Sequence, residues 1–519
     1  MVLFPNFSIE TWTLIALILV LILVYGYAPY GFFKKIGIQG PKPLPFIGTF
    51  LEYRKGVHYF DTECYEKYGK LWGLYDGRQP LLCVMDTAMI KTILIKECYS
   101  TFINKRDFGL NGLLSNSLSV VGDEQWRRIR STLSPSFTGG RLKEMYAIML
   151  QHSGNLINSI CKKVEADEVI EVKEIFGPYS IDIVTSSAFS VDVDSINRPT
   201  DPFLVNVKKM VSFTILDPLI VLVVLFPFLV PILEKMNVSL FPTQLSDFFS
   251  NFLKTIKSDR KKKNERKYRV DFMQLMVDAQ IEEKNKESHY ELLLGPWCVC
   301  VTGLTDDEIL AQALVFILAG YETTTNSLGF LAYNLATRPQ IQKILQEETD
   351  RTFPKKSQPT YEALVRMEYL DMVVNETMRL YPFAPRLNRI SNAAVEINGV
   401  TIPKGTVIVV PVYTLHRDPL LWSNPEAFQP ERFRKENRCN IEPHAFLPFG
   451  EGPRNCIGMR FAILMMKLAM VEILQRFSFV TCKETDIPME LAKDAFVKPK
   501  NPIKLKLEPR ETVADASPS

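Results

Sequence analysis

Histidine is scarce in this chain: five in 519 residues, at positions 58, 152, 289, 416 and 444. None is spaced to share a metal with another, which excludes a metal centre built on imidazole. The nine cysteines (64, 83, 98, 161, 298, 300, 439, 456 and 482) form no Cys-x-x-Cys pair and no dense secreted-type framework. Most therefore read as reduced core residues in a reducing compartment. A Gly-x-Gly-x-x-Gly dinucleotide fingerprint is missing, so the chain brings no nicotinamide site of its own. The net charge is only +3, and the basic residues form no stripe interleaved with aromatics, which excludes nucleic acid. Length alone suggests about three domains. No low-complexity linker divides the chain after its first fifty residues, and 47% hydrophobic with 23% charged residues suits one large globular domain.

Charge is absent altogether from Trp12 to Tyr30. Those residues at helical rise measure roughly 28 Å, close to a hydrocarbon core. No Lys or Arg precedes the run, and Lys34 and Lys35 follow it. This lacks the basic start of a cleavable signal, and predicts a retained single-pass anchor over 12–30. The lysines place 1–11 in the lumen and the remainder in the cytoplasm. Pro41, Pro43 and Pro45 predict a semi-rigid hinge over 31–48. A globular body is expected over 49–509, and a disordered tail over 510–519.

Within the body, Lys70–Tyr75 and Gln79–Met85 read as strands around Asp76-Gly77, as do Gly399–Pro403 and Val407–Val412. Helical patterns cover Gly122–Leu150, Asp306–Thr337, Tyr369–Tyr381 and Met459–Phe477. Thr305, with Glu308 three residues on, is a capping box for the second of these. Pro218, Pro227 and Pro231 break an apolar segment long enough to tempt a second membrane span. Two short helices and a loop dipping into the bilayer surface are expected there, with a plain core segment as the alternative.

The chemistry concentrates in Phe449-Gly-Glu-Gly-Pro-Arg-Asn-Cys456-Ile-Gly458, a loop directly before the last apolar helix. Gly450, Gly452 and Gly458 allow tight turns that bring N–H groups toward the sulfur. The helix points its positive end at Cys456, and Arg454 supplies charge for an anion on the same ligand. Both favour a thiolate, and the arrangement suits an electron-donating axial ligand to haem iron. The alternative is a buried cysteine in an ordinary glycine-rich loop. Trp126 and Arg130 share a helical face suited to a carboxylate such as a haem propionate, although such pairs also pack plain helix surfaces. Arg127, Arg128 and Lys143 suggest a docking surface for an acidic partner. Mid-helix, Ala319-Gly320 removes bulk beside a flat ligand. Glu322 and Thr323 set an acid beside a hydroxyl that delivers protons, unless the stretch is simply threonine-rich core. Glu376 and Arg379 form an ion pair on one helix face that Arg432 completes.

The acid–Thr helix, Glu376-x-x-Arg379, Pro430-Glu-Arg-Phe433 and then the Cys456 loop, in that chain order, resemble the cytochrome P450 family, from the anchor to about residue 509. The vertebrate 3A subfamily is the particular likeness, carried by Trp126–Arg130, Leu133–Phe137, Phe226–Leu233, Ala319–Thr324 and Asn388-Arg389. The resemblance implies a mainly α haem-thiolate fold with a smaller β-rich lobe and a single N-terminal transmembrane anchor. Cys456 is then the axial thiolate of haem b. Lys105, Trp126, Arg130, Arg389 and Arg454 become propionate partners, with Ala319 and Phe449 also against the haem. Lys105 stands where close relatives have Arg, giving a point charge in place of a fork. Glu322 and Thr323 become the oxygen-activating pair, and Glu376, Arg379 and Arg432 a structural cluster. The substrate pocket maps onto Phe108, Ser119, Phe213, Phe241, Val315, Leu318, Ala319, Phe383, Ala384, Pro385 and Phe496. Ser212, Ile215, Leu318 and Pro385 depart from the mammalian Arg, Phe, Phe and Met. Fourteen further residues, Tyr290–Gly303, interrupt the usual join between His289 and Leu304. They are either a membrane-touching loop or a retained intron or gene-model error.

The implied activity is that of a microsomal monooxygenase on the cytoplasmic side of the endoplasmic reticulum. It inserts one atom of O2 into steroids, drugs and other lipophilic xenobiotics. NADPH serves only through NADPH–cytochrome P450 reductase, with cytochrome b5 as a further donor. The competing readings are a haem-thiolate isomerase of lipid peroxides and a non-catalytic membrane haem protein. The helix threonine at 323 favours the monooxygenase over the first.

Overall fold

The computed structural model describes residues 8–211, 214, 216–262, 271–280 and 303–510. Phe213, Ser212, Ile215, all of the unusual segment except Gly303, and the tail after Arg510 lie outside the described residues.

Helix α1 (Ile9–Tyr27) starts on Ser8, whose hydroxyl accepts the Thr11 amide proton, and is exposed along nearly its whole length. With the turns that follow it, Ile9–Lys35 holds an 18-residue window of mean hydropathy 2.2 and is the one continuous helical stretch among the described residues long and apolar enough to cross a membrane. The proline stretch beyond it is docked rather than free. The Gly73 amide donates to Gln39 O at 2.9 Å, and a Cβ at Gly40 would meet Gly73 O at 2.0 Å.

Alternating apolar residues build a sheet lobe over its own core of Trp72, Leu74, Leu82, Val84 and Ile408. Strands β1 (Leu71–Asp76) and β2 (Gln79–Val84) pair antiparallel around Gly77, whose φ of 58° needs glycine. A two-residue strand β3 (Ile170–Glu171) belongs to a separate small sheet. The strands β4 (Leu387–Ile390), β5 (Val395–Ile397), β6 (Val400–Ile402) and β7 (Val407–Val410) follow. The main sheet runs β1-β2-β7-β4, with β2 and β7 parallel. The β5–β6 hairpin turns on Asn398-Gly399, both at positive φ. Strands β8 (Phe477–Thr481) and β9 (Lys504–Pro509) pair with each other and β9 with β3.

The helical lobe holds the larger core. The single helix expected over Gly122–Leu150 is two, α2 (Asp123–Leu133) and α3 (Gly139–Glu165). Pro135 lacks the N–H to continue α2, and Thr138 is extended, so a short 3-10 turn separates them. Helix α4 (Val172–Phe189) is almost wholly buried. Helices α5 (Pro218–Leu225) and α6 (Val230–Lys235) carry the broken apolar segment; with the turn from Pro227, the pair bends by 102°. They leave Phe228, Ile232 and Met236 exposed.

Helix α7 (Asp306–Ala336) runs 31 residues from the expected capping box. The Thr305 hydroxyl accepts from the Glu308 amide and the Glu308 carboxylate from the Thr305 amide. It lies on α4 through two glycines. A Cβ at Gly177 would reach Tyr321 at 3.3 Å, and one at Gly320 would meet Val184 at 2.4 Å. Gly320 therefore lets two helices touch, besides flanking the cavity described below. Helix α8 (Glu368–Leu380) carries the Glu–Arg pair, and α9 (Met459–Leu474) follows the cysteine loop. It stops short of the expected Phe477, which already begins β8. Arg510, expected in a loose tail, bonds Arg476 O through its amide and pairs with Asp350 at 2.6 Å.

Candidate active site

Between α7 and the loop before α9 lies a cavity of about 400 Å³. Its floor is Pro448–Gly458 and its roof the α7 segment from Val315 to Ser327. The loop gains its shape from two glycines. Gly450 and Gly452 sit at φ of 71° and 73°, and a Cβ on Gly452 would meet Leu94 O at 2.0 Å. Gly458 differs from expectation: its φ is an ordinary −87°, and no protein atom lies within 4 Å of a Cβ placed there. Its part is to offer its amide to the sulfur.

Cys456 is surrounded by protein yet presents its surface to the cavity, so its exposure is internal rather than to bulk solvent. Its amide donates to Phe449 O at 2.9 Å. Burial pushes the thiol up, while the Gly458 amide, Arg130 and Lys105 pull it down. A metal ion held in the cavity would supply the further cation that an anionic sulfur calls for here.

Four cations line the same space: Lys105, Arg130, Arg389 and Arg454. Arg130 grips the loop through Asn455 O at 2.9 Å and Asn455 Oδ1 at 2.8 Å. Arg454 donates to Ile103 O and Val121 O at 2.7 and 2.8 Å, its plane 4.3 Å from the Trp126 ring. Arg389 donates to Asn388 O at 2.7 Å. Among the described residues none of the four forms an ion pair. Arg454 Nη1 and Arg389 Nε are buried without a partner. Burial and the neighbouring Arg389 and Arg454 push the Lys105 ammonium down to about 8, and burial and Arg389 push Arg454 down to about 10. Such mutual repulsion in a closed space calls for an anion.

The roof carries Thr323, whose hydroxyl donates to Ala319 O at 2.6 Å. Ser180 of α4 donates to Gly320 O at 2.7 Å. Two successive α7 carbonyls thus bind side-chain hydroxyls, the loosening expected of a hydroxyl in mid-helix. Glu322 departs from expectation and does not line the cavity. Its Oε1 takes the Lys173 ammonium at 2.9 Å and the Asn326 amide at 3.1 Å, while Oε2 is buried without a partner. Adjacent residues of a helix point about 100° apart, which separates the acid from the hydroxyl.

The expected pocket residues divide likewise. Ser119, Val315, Ala319, Phe383 and Ala384 line the cavity. Leu318 and Phe241 pack against the helical core, and Pro385 O accepts the Tyr413 amide. Phe496 stacks on Phe383 at 4.7 Å, and Phe108 lies under the Arg106 guanidinium at 4.4 Å. Both are more than a third exposed, at the rim rather than inside. Sequence reasoning missed Phe137, Phe272, Phe316, Ile457 and Phe461 as lining residues. Phe316 and Ile457 sit beside residues already singled out, and helical spacing could have found them. Phe137 and Phe272 carry no such signal.

Glu376 and Arg379 are both fully buried and paired at 2.8 Å, and Arg432 reaches Glu376 at 3.3 Å. Arg379 also donates to His416 O and Ala427 O, and the Gln429 amide to Glu376 Oε1 at 2.8 Å. Two arginines share the one carboxylate, and backbone carbonyls take further guanidinium protons, so the buried network is well satisfied in hydrogen bonds. Of the expected docking residues, Arg127 and Lys143 keep exposed side chains and Arg128 turns inward. Arg128 is drawn into an ion pair with the buried Glu308, Arg127 pairs with Glu124, and Lys143 pairs with Glu362.

A cysteine at a cavity that small residues of a long helix also line, with unpaired cations among its lining, fits a haem with its two propionates. Cys456 would hold the iron, and Lys105, Arg130, Arg389 and Arg454 the acid groups. A Cytochrome P450 family model matches residues 38–507. The chain is 58% identical over 506 residues to Cytochrome P450 3A27 of Oncorhynchus mykiss, covering 98% of this chain and 96% of that one. It is 57% identical over 507 residues to Cytochrome P450 3A40 of Oryzias latipes, covering 98% of both chains. Cytochrome P450 3A12 of Canis lupus familiaris is 52% identical over 509 residues, again at 98% of both chains. The buried thiol, the lining cations and these near full-length likenesses agree: the chain belongs to the cytochrome P450 family, with the 3A proteins among its relatives, and is by that membership a haem-dependent monooxygenase.

Proposed function

We propose that this protein oxidises lipophilic molecules, steroids and xenobiotics among them, at a membrane surface, with electrons that a flavoprotein reductase draws from NADPH. The observation that carries this reading is the group of four unpaired cations lining a cavity floored by Cys456. Haem b, when bound, supplies the activation of O2, with the thiolate as electron-donating ligand. Cys456 contributes that ligand, and the Gly458 amide, Arg130 and Lys105 hold its charge. The Thr323 hydroxyl faces the cavity and holds a proton at Oγ1 while bonded to Ala319 O. Glu322, paired with Lys173 on another face of the helix, is a more distant source of protons rather than a direct partner of Thr323. Phe316, Phe383 and Ala384 give the cavity an apolar lining that excludes water and selects apolar substrates.

The membrane reading is supported by the exposed apolar α1 and by Lys34 and Lys35 shortly after it, an order of charge that fits a body on the cytoplasmic face of the endoplasmic reticulum. The exposed Phe228, Ile232 and Met236 on the bent α5–α6 pair suit contact with the bilayer surface. With no dinucleotide motif in the chain, NADPH serves through the reductase, with cytochrome b5 as a second donor.

The test is reconstitution in vesicles with NADPH–cytochrome P450 reductase and progesterone as probe. Product formation should require both NADPH and reductase, and the reduced protein should bind carbon monoxide with the spectrum of thiolate ligation. Cys456→Ser should abolish that spectrum. Turnover that proceeds without an electron source would overturn the proposal.

A further inference from the structure

Outside the cavity, three buried polar side chains and two partly buried arginines form one unbroken chain of hydrogen bonds. Asp61, in the helix Val57–Tyr68, accepts a two-toothed bond from Arg386, Nε to Oδ2 and Nη2 to Oδ1, both at 2.6 Å. Arg386 Nη1 donates to the Tyr53 hydroxyl at 2.8 Å. That hydroxyl donates to Asp76 Oδ1 at 2.7 Å, and the other oxygen of Asp76 pairs with Arg106. Tyr53, Asp61 and Asp76 are no more than 3% exposed. Two arginines and two aspartates balance, so the burial costs no net charge. Tyr53 is the only member that both accepts and donates within the chain, and it joins the two halves.

The two arginines of this chain each adjoin a cavity-lining residue, in two segments that the Ile390 amide already ties together through Asn104 O at 2.8 Å. Arg386 directly precedes Leu387 and follows Phe383 and Ala384, all lining residues. Arg106 directly follows the lining residue Lys105 and covers the rim residue Phe108. The Arg106 amide also donates to Asn388 Oδ1 at 2.9 Å, a second tie between the same two segments. Neither arginine lines the cavity itself. Burial, reinforced by Asp76, keeps the Tyr53 phenol protonated, as its donor part requires.

We propose that Asp61–Arg386–Tyr53–Asp76–Arg106 is a clasp that, together with these direct ties, fixes the spacing of two segments at the cavity, 105–112 and 382–389. Tyr53 is then a positioning residue for substrate binding rather than for the chemical step. The clasp itself is independent of the monooxygenase reading; only its link to substrate affinity rests on that reading.

Tyr53→Phe tests it, since it removes one hydroxyl and keeps the ring in the core. In the haem-loaded protein, hydrogen exchange should quicken at both 105–112 and 382–389. The progesterone KM should rise about fivefold to tenfold, as expected for one charge-assisted hydrogen bond, with kcat within about twofold. Arg106→Gln cuts one end only, and should quicken exchange at 105–112 while sparing 382–389. Unchanged exchange at both segments in Tyr53→Phe overturns the clasp. Faster exchange with an unchanged KM overturns its part in substrate binding. Should the parent protein fail to oxidise progesterone, the monooxygenase reading fails, and the exchange data alone still decide whether the clasp exists.

Discussion

His416 accepts the amide proton of Leu447 at Nε2, over 2.8 Å, deep between the Glu–Arg cluster and the cysteine loop. With Nε2 an acceptor, Nδ1 carries the proton and donates to Arg379 O at 3.1 Å. Leu447 O in turn takes the Gly450 amide at 3.0 Å, inside the loop that ends at Cys456. One neutral imidazole thus ties the buried ion cluster to the haem loop. His416→Ala strands two buried backbone groups and opens a void. A loss of about 2–4 kcal/mol is expected in thermal unfolding, with poorer haem retention.

The same histidine makes stability depend on pH. Burial, with the Arg379 charge adding to it, holds His416 at about 3 against its ordinary 6.5. Burial and Arg417 hold His58 at about 4. Below pH 6.5 the unfolded chain takes up protons that these folded imidazoles refuse, so stability falls as pH drops from 6.5 toward 4. Each contributes about 1.4 kcal/mol per pH unit inside that window. Asp182, pushed up to about 6 by burial, acts in the opposite direction between its ordinary value and 6. The comparison that isolates the imidazole is His416→Gln: its melting temperature should vary less steeply with pH between 4 and 6 than that of the parent. Equal slopes would remove His416 as the cause.

Glu376→Gln removes the anion that two arginines share. Arg379 keeps its carbonyl bonds but loses its counter-charge in a site without solvent. The expected cost is about 3–5 kcal/mol, read as a collapse of haem-loaded protein on expression.

Glycines 452 and 458 should separate. Gly452→Ala forces a Cβ against Leu94 O at positive φ and should cost about 2 kcal/mol or more. Gly458→Ala meets no protein atom and should leave thermal unfolding within about 1 kcal/mol of the parent.

Thr323→Val keeps the shape of the roof and deletes its hydroxyl. Product formed per NADPH consumed should fall by about tenfold or more, while the carbon monoxide spectrum persists. A preserved ratio would show that protons reach the cavity without Thr323.

The sequence by itself determined what is local and chemically singular. A cysteine after two glycines and an arginine, a capping box at Thr305, a Glu-x-x-Arg helix and an uncharged apolar run each depend on neighbours a few residues away. Short-range sterics and hydrogen bonds decide such features, and residue order displays them. Cys456 and the Glu376–Arg379 pair were legible for that reason, whereas Lys105 and Arg389 came only with the family resemblance. What only the tertiary structure decided depends on which faces meet. Glu322 follows its helix face to Lys173 and away from Thr323. Arg128 is drawn to a helix cap rather than a partner, and Gly320 makes room for Val184. His416, 31 residues before Leu447, and Tyr53, 333 residues before Arg386, act through contacts that chain order does not encode. Packing chooses among the many partners that residue type allows, and packing exists only once the two lobes have formed.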